Sequence, residues 1–104
     1  MKHRNYQPKC PVLAVAPGNW QQALQHASKS HRKIGVVSYN RPHSRNPRII
    51  FKRDRHTTLS HYARELYSNF LDAEQAGVEL LLVESVPRRG IGLAIMDRIT
   101  RASQ

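Results

Sequence analysis

The sequence predicts a three-layer α/β domain in which a mostly parallel sheet of four to five strands carries helices on both faces. Segments of strand and helix periodicity alternate along the 104 residues in the order β, α, β, β, α, β, α, which is typical of this class. The strand segments are short apolar runs, as expected of parallel strands covered by helices. Right-handed crossovers then place helices on both sides of the sheet.

The first half of the chain supplies two strands and one helix. Residues 12–16 form a short apolar run that stops at a Pro-Gly pair, which indicates a first strand buried on both faces. Asn19 is a favourable N-cap, and apolar side chains then recur at helical spacing, which predicts a helix over Trp20–Ser30. The β-branched run at residues 34–38 predicts the second strand.

The middle of the chain predicts a loop, a short strand, a long helix and a central strand. Residues 39–47 contain two prolines and have no periodicity, so they form a surface loop, and residues 48–51 form the third strand. Thr58 caps a helix whose apolar positions advance by threes and fours until Gly77 ends it at the C′ position. The apolar run at residues 78–83 predicts a central fourth strand.

The two ends of the chain complete a Rossmann-like arrangement. Residues 1–11, interrupted by two prolines, predict an extended linker, and residues 12–104 then form the α/β domain. After a loop at residues 84–89, a helix is expected from residue 90 to residue 102. Its core-facing side chains are expected to be Ile91, Ala94, Ile95, Met96 and Ile99. We expect the first and fourth strands to be central and the third to lie at an edge.

Composition excludes several classes of protein. The lone cysteine, Cys10, cannot close an intrachain disulfide, which favours a reducing compartment. The longest apolar run, residues 12–16, is far shorter than the ~20 residues of a membrane helix, and the first residues lack a signal-type apolar stretch. We therefore expect a soluble cytoplasmic protein with no membrane partner.

Positive charge is concentrated in the first half of the chain. The net charge is +10, and residues 1–56 contain twelve Lys and Arg against one acidic residue. Such asymmetry favours a polyanionic partner, either RNA or a nucleotide. A solvated basic loop accounts for the same composition, so charge alone identifies no ligand.

A glycine turn before the last helix is a candidate anion-binding site formed by Arg88, Arg89, Gly90 and Gly92. Free N–H groups and the positive end of the helix dipole favour an anion there. The dinucleotide fingerprint requires a third glycine, and Ile95 stands in its place. The alternative is that the two glycines let the helix begin tightly against the sheet.

No catalytic or metal site is predicted from motifs. The sequence has no Walker loop, paired cysteines, His-Glu-x-x-His or Gly-x-Ser-x-Gly motif. The acidic residues Glu84 and Asp97 come near the glycine junction, where they are compatible with structural pairing or with acid–base chemistry. The histidines have no metal-ligand spacing and are interpreted as surface residues: His3, His26, His31, His43, His56 and His61.

Two segments resemble one enzyme family. The tail contains GVELLLVE at residues 77–84, Val86-Pro87, and GIGLAIMDRITRA at residues 90–102. It is similar to the closing segment of the long-form L-threonylcarbamoyladenylate synthases, in which G-V-D-x-I-x-x-E and a proline precede G-L-G-x-A-I-M-D-R-L-x-R-A. The head MKHRNYQP at residues 1–8 resembles that family's interdomain linker, M-K-Y-R-H-Y-A-P. The two matches occur in the right order.

The resemblance implies an architecture and an activity. The family enzyme is a nucleotidyltransferase whose amino-terminal YrdC-type domain makes threonylcarbamoyl-adenylate from threonine, bicarbonate and ATP for tRNA threonylcarbamoyladenosine synthesis. A linker joins it to a smaller carboxy-terminal α/β domain. This chain corresponds to the linker and that smaller domain, so it is not expected to be catalytic alone. No cofactor is expected in this chain, and ATP with magnesium is implied for the full-length enzyme.

The resemblance also assigns candidate roles within the linker. Lys2, Arg4 and Tyr6 match positions at which the family linker folds over the catalytic pocket and approaches ATP. Cations suit phosphates, and an aromatic ring excludes water. The sequence departs from the family pattern at Asn5, Gln7, Arg88 and Arg89.

Three functions follow from the sequence. The leading hypothesis is an accessory domain that docks against a YrdC-type domain, in cis or in trans, and positions the linker lid. The alternative is a stand-alone nucleotide- or RNA-binding module, with tRNA as a candidate partner. A free-standing α/β enzyme is the third, although no nucleophile–base pair can be named for it.

Overall fold

The computed structural model of the chain describes residues 7–41 and 46–104, which form four strands and three α-helices. In chain order these are β1 (Val12–Val15), α1 (Trp20–Ser30), β2 (Ile34–Val37), β3 (Ile49–Arg53), α2 (Leu59–Gln75), β4 (Leu80–Glu84) and α3 (Ile91–Ala102). A single 3-10 turn, Pro17–Asn19, leads into α1. The predicted order of strands and helices is confirmed.

The four strands form one parallel sheet in the order β1-β4-β2-β3. This order confirms the central position of β4 and the edge position of β3, but the expectation of a central β1 was wrong. Leu13 is 45% exposed and Ala14 is also exposed, so β1 is not buried on both faces. The crossover through α1 skips one place in the sheet, and β4 fills that place from far along the chain.

Helices cover both faces of the sheet and enclose two separate cores. On one face α1 packs on Val15, Ile34, Val36 and Leu82 through Trp20, Leu24 and Ala27. On the other face α2 and α3 pack on Val12, Val37, Phe51, Leu81 and Val83. Within β4, Leu81 and Val83 therefore face one layer and Leu82 the other, as the alternation of a strand requires. The three-layer α/β prediction is confirmed.

The long helix α2 begins and ends as predicted. The Thr58 hydroxyl accepts the His61 N–H at 3.0 Å, and Gly77 follows the helix with φ of 82°, a conformation that favours glycine. The apolar positions of α2 face the core as the spacing predicts, except that Leu71, also expected in the core, is exposed, and the polar Asn69 is buried. Helical spacing identifies the buried face without fixing its margins.

Two details of the shorter helices differ from expectation. Asn19 stands at the N-cap of α1 but makes no side-chain capping bond, and its ψ of 6° departs from the extended backbone that a capping residue usually has. Its N–H bonds Ala16 O at 2.9 Å within the preceding 3-10 turn. In α3, Ile95, Met96 and Ile99 are buried as predicted, whereas Ile91 and Ala94 are exposed. Both lie in the first turn of α3.

Candidate functional site

The carboxyl end of β4 holds the chain that follows β2. Glu84 is buried, and its Oε1 accepts the Tyr39 N–H at 3.0 Å. Its Oε2 lies 3.7 Å from Arg41 Nη2. Asp97 is instead paired with Arg101 at 3.1 Å, one turn along its own helix. Each carboxylate near the glycine junction thus has its own arginine partner, which is the structural pairing that the sequence left open.

His56 is a buried residue, and its assignment to the surface was wrong. It is 5% exposed, its Nδ1 lies 2.9 Å from Ser38 O, and its Nε2 lies 3.4 Å from Asn69 Nδ2. Its ring meets those of His61 and Tyr62 edge-on, with centroids 5.1 and 5.0 Å away. The β3–α2 connection turns inward here, and the buried ring is tolerated because both nitrogens have polar partners. No periodicity in this connection could have shown it.

Tyr62 joins this buried polar cluster to β4. Its hydroxyl donates to Glu84 O at 2.7 Å. Burial, with the nearby Glu84 carboxylate, raises the pKa of Tyr62 far above its usual value. The cluster of Ser38, His56, Tyr62, Asn69 and Glu84 therefore fixes backbone at the carboxyl ends of β2 and β4.

The glycine junction is a tightly closed helix start. Gly90 has φ of 56°, and a Cβ at Gly92 would overlap the carbonyl oxygen of Pro87. The Gly92 and Leu93 N–H groups donate to carbonyls within the turn, at 3.0 and 3.1 Å. This geometry explains both glycines by backbone requirements. Arg88 and Arg89 are exposed beside the turn, and anion binding by these four residues stays a prediction.

Residues 7–11, called here the leading segment, are held against the rest of the chain by hydrogen bonds and by burial of two side chains. Gln7 Nε2 donates to the carbonyls of Arg101 and Gln104 at 3.0 and 3.1 Å. The Lys9 N–H donates to Glu74 Oε1 at 2.9 Å, while Pro8 and Cys10 are buried. Burial raises the pKa of the Cys10 thiol. The lid candidates Lys2, Arg4 and Tyr6 lie outside the described residues, and the domain boundary after residue 11 stays a prediction.

Two further features are absent from the described parts of the chain. In residues 7–41 and 46–104, no three or more His, Cys, Asp or Glu side chains are grouped so that they could hold a metal ion. No described helix has the length and apolar character needed to cross a membrane.

A family model described as threonylcarbamoyl-AMP synthase, C-terminal domain, matches residues 1–104. The chain belongs to this family. The resemblance found in the head and tail segments is thereby confirmed.

Curated relatives named threonylcarbamoyl-AMP synthase are much longer than this chain. It is 27% identical to the one from Pyrococcus abyssi over 112 residues, 29% identical to the one from Bacillus subtilis over 111, and 30% identical to the one from Schizosaccharomyces pombe over 119. Each match covers 99% of this chain but only 31%, 31% and 28% of the relative. The chain therefore spans about a third of the length of these relatives.

Solved structures share the fold. The Pyrococcus abyssi Sua5 structure in complex with L-threonine matches with a TM-score of 0.72 and 22% identity over 94% of this chain and 29% of that one. The C-terminal Sua5 domain from Pyrococcus horikoshii matches with a TM-score of 0.66 and 22% identity, over 89% of this chain and 92% of that one. The α/β fold is thus found both in a longer protein and in an isolated domain.

Proposed function

We propose that this chain is the accessory domain of a threonylcarbamoyl-AMP synthase and acts in tRNA threonylcarbamoyladenosine synthesis. It docks against a YrdC-type catalytic domain, in cis or in trans, and positions the linker lid over the catalytic pocket. Membership of the family and the coverage of about a third of each relative support this division of labour. Catalytic groups and ATP with magnesium belong to the partner domain.

The anchoring of the leading segment is the observation that carries this proposal. Four hydrogen bonds hold it. Three are the bonds of Gln7 and Lys9 described above, and in the fourth Pro11 O accepts the Leu81 N–H at 2.9 Å. These bonds join the segment to the end of α3, to α2 and to β4. They fix the position of Gln7, which directly follows the proposed lid residues Lys2, Arg4 and Tyr6 in the chain. A domain that holds one end of a linker by hydrogen bonds is suited to determine the position of the rest of the linker.

The proposed chemistry of the lid is electrostatic and steric. Lys2 and Arg4 supply cations for the phosphates of ATP, and charge-assisted hydrogen bonds to phosphate are among the stronger ones in proteins. Tyr6 supplies an aromatic ring that excludes water from the closed pocket. The domain contributes positioning, which lowers the entropic cost of closing the lid.

Pyrophosphate release from ATP, with threonine and bicarbonate present, tests the proposal. The reaction is run with this chain alone, with a YrdC-type domain from the same organism alone, and with both. We expect no release from this chain alone and a changed rate when it is added to the catalytic domain. Release by this chain alone, or a rate that its addition leaves unchanged, would contradict the accessory role.

A variant of the anchor tests the positioning role within the same assay. Gln7→Ala removes two of the four hydrogen bonds, at about 0.5–1.5 kcal/mol each or about 1–3 kcal/mol together, so the effect of the added chain should fall about five- to 150-fold. Gln25→Ala is the matched control, since Gln25 is exposed on α1. Equal effects from both variants would show that the anchor does not position the lid.

The alternative function is a stand-alone nucleotide- or RNA-binding module. It is favoured by the exposed cations on and beside the edge strand β3, among them Arg48, Lys52 and Arg55. Binding to phosphates releases counterions, so tRNA affinity should then fall steeply as salt is added. Weak binding that is insensitive to salt would exclude this alternative.

A further inference from the structure

The edge strand β1 has one unpaired side. It pairs with β4 alone, and Pro11 O and Val15 O accept the N–H groups of Leu81 and Ser85, both at 2.9 Å. A parallel ladder turns alternate residues toward its partner, so the N–H and C=O groups of Val12 and Ala14 point outward. Within residues 7–41 and 46–104, no hydrogen bond reaches these outward groups.

A groove of about 590 Å³, whose surface is mostly apolar, lies beside this edge, between β1 and α1. Leu13 of β1 and Leu80 of β4 line its sheet side. One stripe of α1, with members three or four positions apart, lines the other side, and His31 closes the end. The stripe consists of the N-cap residue Asn19 together with Gln22, Ala23, His26, Ala27 and Ser30.

The groove has no Lys, Arg, Asp or Glu among its nine lining residues, although the chain carries a net charge of +10. The opposite edge strand, β3, exposes Lys52 and Arg53, and charged residues on an edge discourage pairing with another strand. The contrast favours an uncharged, apolar occupant at β1 and none at β3.

We propose that the free edge of β1 and this groove, together called the β1 edge site, bind an extended, uncharged apolar segment of the YrdC-type partner domain. The segment adds a strand to the sheet. Its backbone pairs with the outward groups of Val12 and Ala14, and alternate side chains enter the groove against Leu13 and Leu80. This inference rests on the proposed function, because it names the surface by which the accessory domain docks.

The place of β1 in the chain agrees with this role. It is the first strand after the leading segment, so a partner strand paired with β1 lies at the same edge of the sheet as the strand into which the leading segment runs. Docking at β3 would place the partner at the far edge of the sheet from β1. One surface thereby brings the partner and the proposed lid together.

Calorimetric binding of a YrdC-type domain from the same organism tests the site with two matched variants. Leu13 and Ile50 are each 45% exposed on an edge strand, so Leu13→Arg and Ile50→Arg introduce the same charge with equal burial. We expect Leu13→Arg to weaken binding at least about tenfold, as for a central apolar contact. Ile50→Arg should bind as the wild type does. Thermal unfolding checks that both variants fold.

Amide exchange of the wild-type chain separates strand addition from apolar contact alone. Exchange of the outward Ala14 N–H should slow when the partner is bound, while the Leu13 N–H, which faces β4, is protected in both states. An Ala14 amide that exchanges equally fast in the complex would overturn the pairing.

The outcomes separate this inference from the function on which it rests. If the wild-type chain does not bind the YrdC-type domain, the proposed function fails and the β1 edge site fails with it. If the wild type and both variants bind equally, docking occurs elsewhere and only the β1 edge site is refuted. Concentration-dependent dimerisation that Leu13→Arg abolishes would assign the site to a second copy of this chain and overturn the proposal.

Discussion

The carboxylate of Glu84, in the last position of β4, accepts the N–H of Tyr39, two residues beyond β2, at 3.0 Å. The two strands are neighbours in the sheet, so this bond ties together their carboxyl ends. The same carboxylate lies 3.7 Å from Arg41 Nη2. One buried acid therefore holds the start of the loop after β2 by a backbone contact and an ion pair.

Replacing Glu84 should destabilise the domain. Glu84→Ala leaves the part-buried Tyr39 N–H without its acceptor, which costs about 1–3 kcal/mol in the free energy of unfolding. Glu84→Gln keeps an acceptor oxygen and should lose less. Urea denaturation measures both, and equal losses would show that the backbone bond contributes little.

Tyr62 should make stability fall at alkaline pH. Because burial raises its pKa, the folded state keeps the phenolic proton above pH ~10, where the unfolded state loses it. The free energy of unfolding then falls by about 1.4 kcal/mol per pH unit. Tyr62→Phe has no phenolic proton to lose, so its stability lacks this pH dependence. At neutral pH it is about 1 kcal/mol less stable than the wild type, because the hydrogen bond to Glu84 is missing.

Urea denaturation of the wild type and of Tyr62→Phe, from neutral to alkaline pH, gives the difference between their free energies of unfolding at each pH. The advantage of the wild type over Tyr62→Phe should shrink above pH ~10 and then reverse. Cys10, whose pKa burial also raises, is present in both proteins and cancels. A difference that stays constant with pH would contradict the prediction.

The stabilising contribution of the Glu79 carboxylate should disappear in acid. The N–H groups of Lys33 and Arg32 donate to its Oε1 at 3.1 and 2.9 Å and lower the pKa of this carboxyl from 4.5. The stabilisation is present above that value and is lost as pH falls through the lower folded pKa. Wild type and Glu79→Gln should therefore converge in acid, as measured by urea midpoints, and parallel curves would contradict this.

Gly92 should resist substitution. In Gly92→Ala the new Cβ would overlap the carbonyl oxygen of Pro87, whereas nothing lies within 4 Å of a Cβ at Gly18. Forcing an atom into a packed site costs about 1–3 kcal/mol, so Gly92→Ala should lower the midpoint of thermal unfolding. Gly18→Ala is the matched control, and equal midpoints would show that the junction relaxes easily.

Local patterns predicted much of the fold. The Trp20–Ser30 helix matches its predicted bounds, and the helix that Thr58 caps ends before Gly77 as expected. Capping and periodicity are properties of a few consecutive residues, which is why they can be recognised in a single sequence. The family, too, was recognised from segments at the two ends of the chain.

Only the tertiary structure decided the neighbours of each element. The apolar run at β1 gave no sign that one side would stay unpaired, and nothing near His56 indicated burial. Both outcomes depend on residues distant in sequence. β4 pairs with one side of β1 only, and the His56 ring nitrogens contact the Ser38 carbonyl and the Asn69 side-chain amide. The sequence by itself determined the elements and the family. Strand order, buried polar partners and the free edge of β1 were decided by long-range pairing, whose free energy no local pattern encodes.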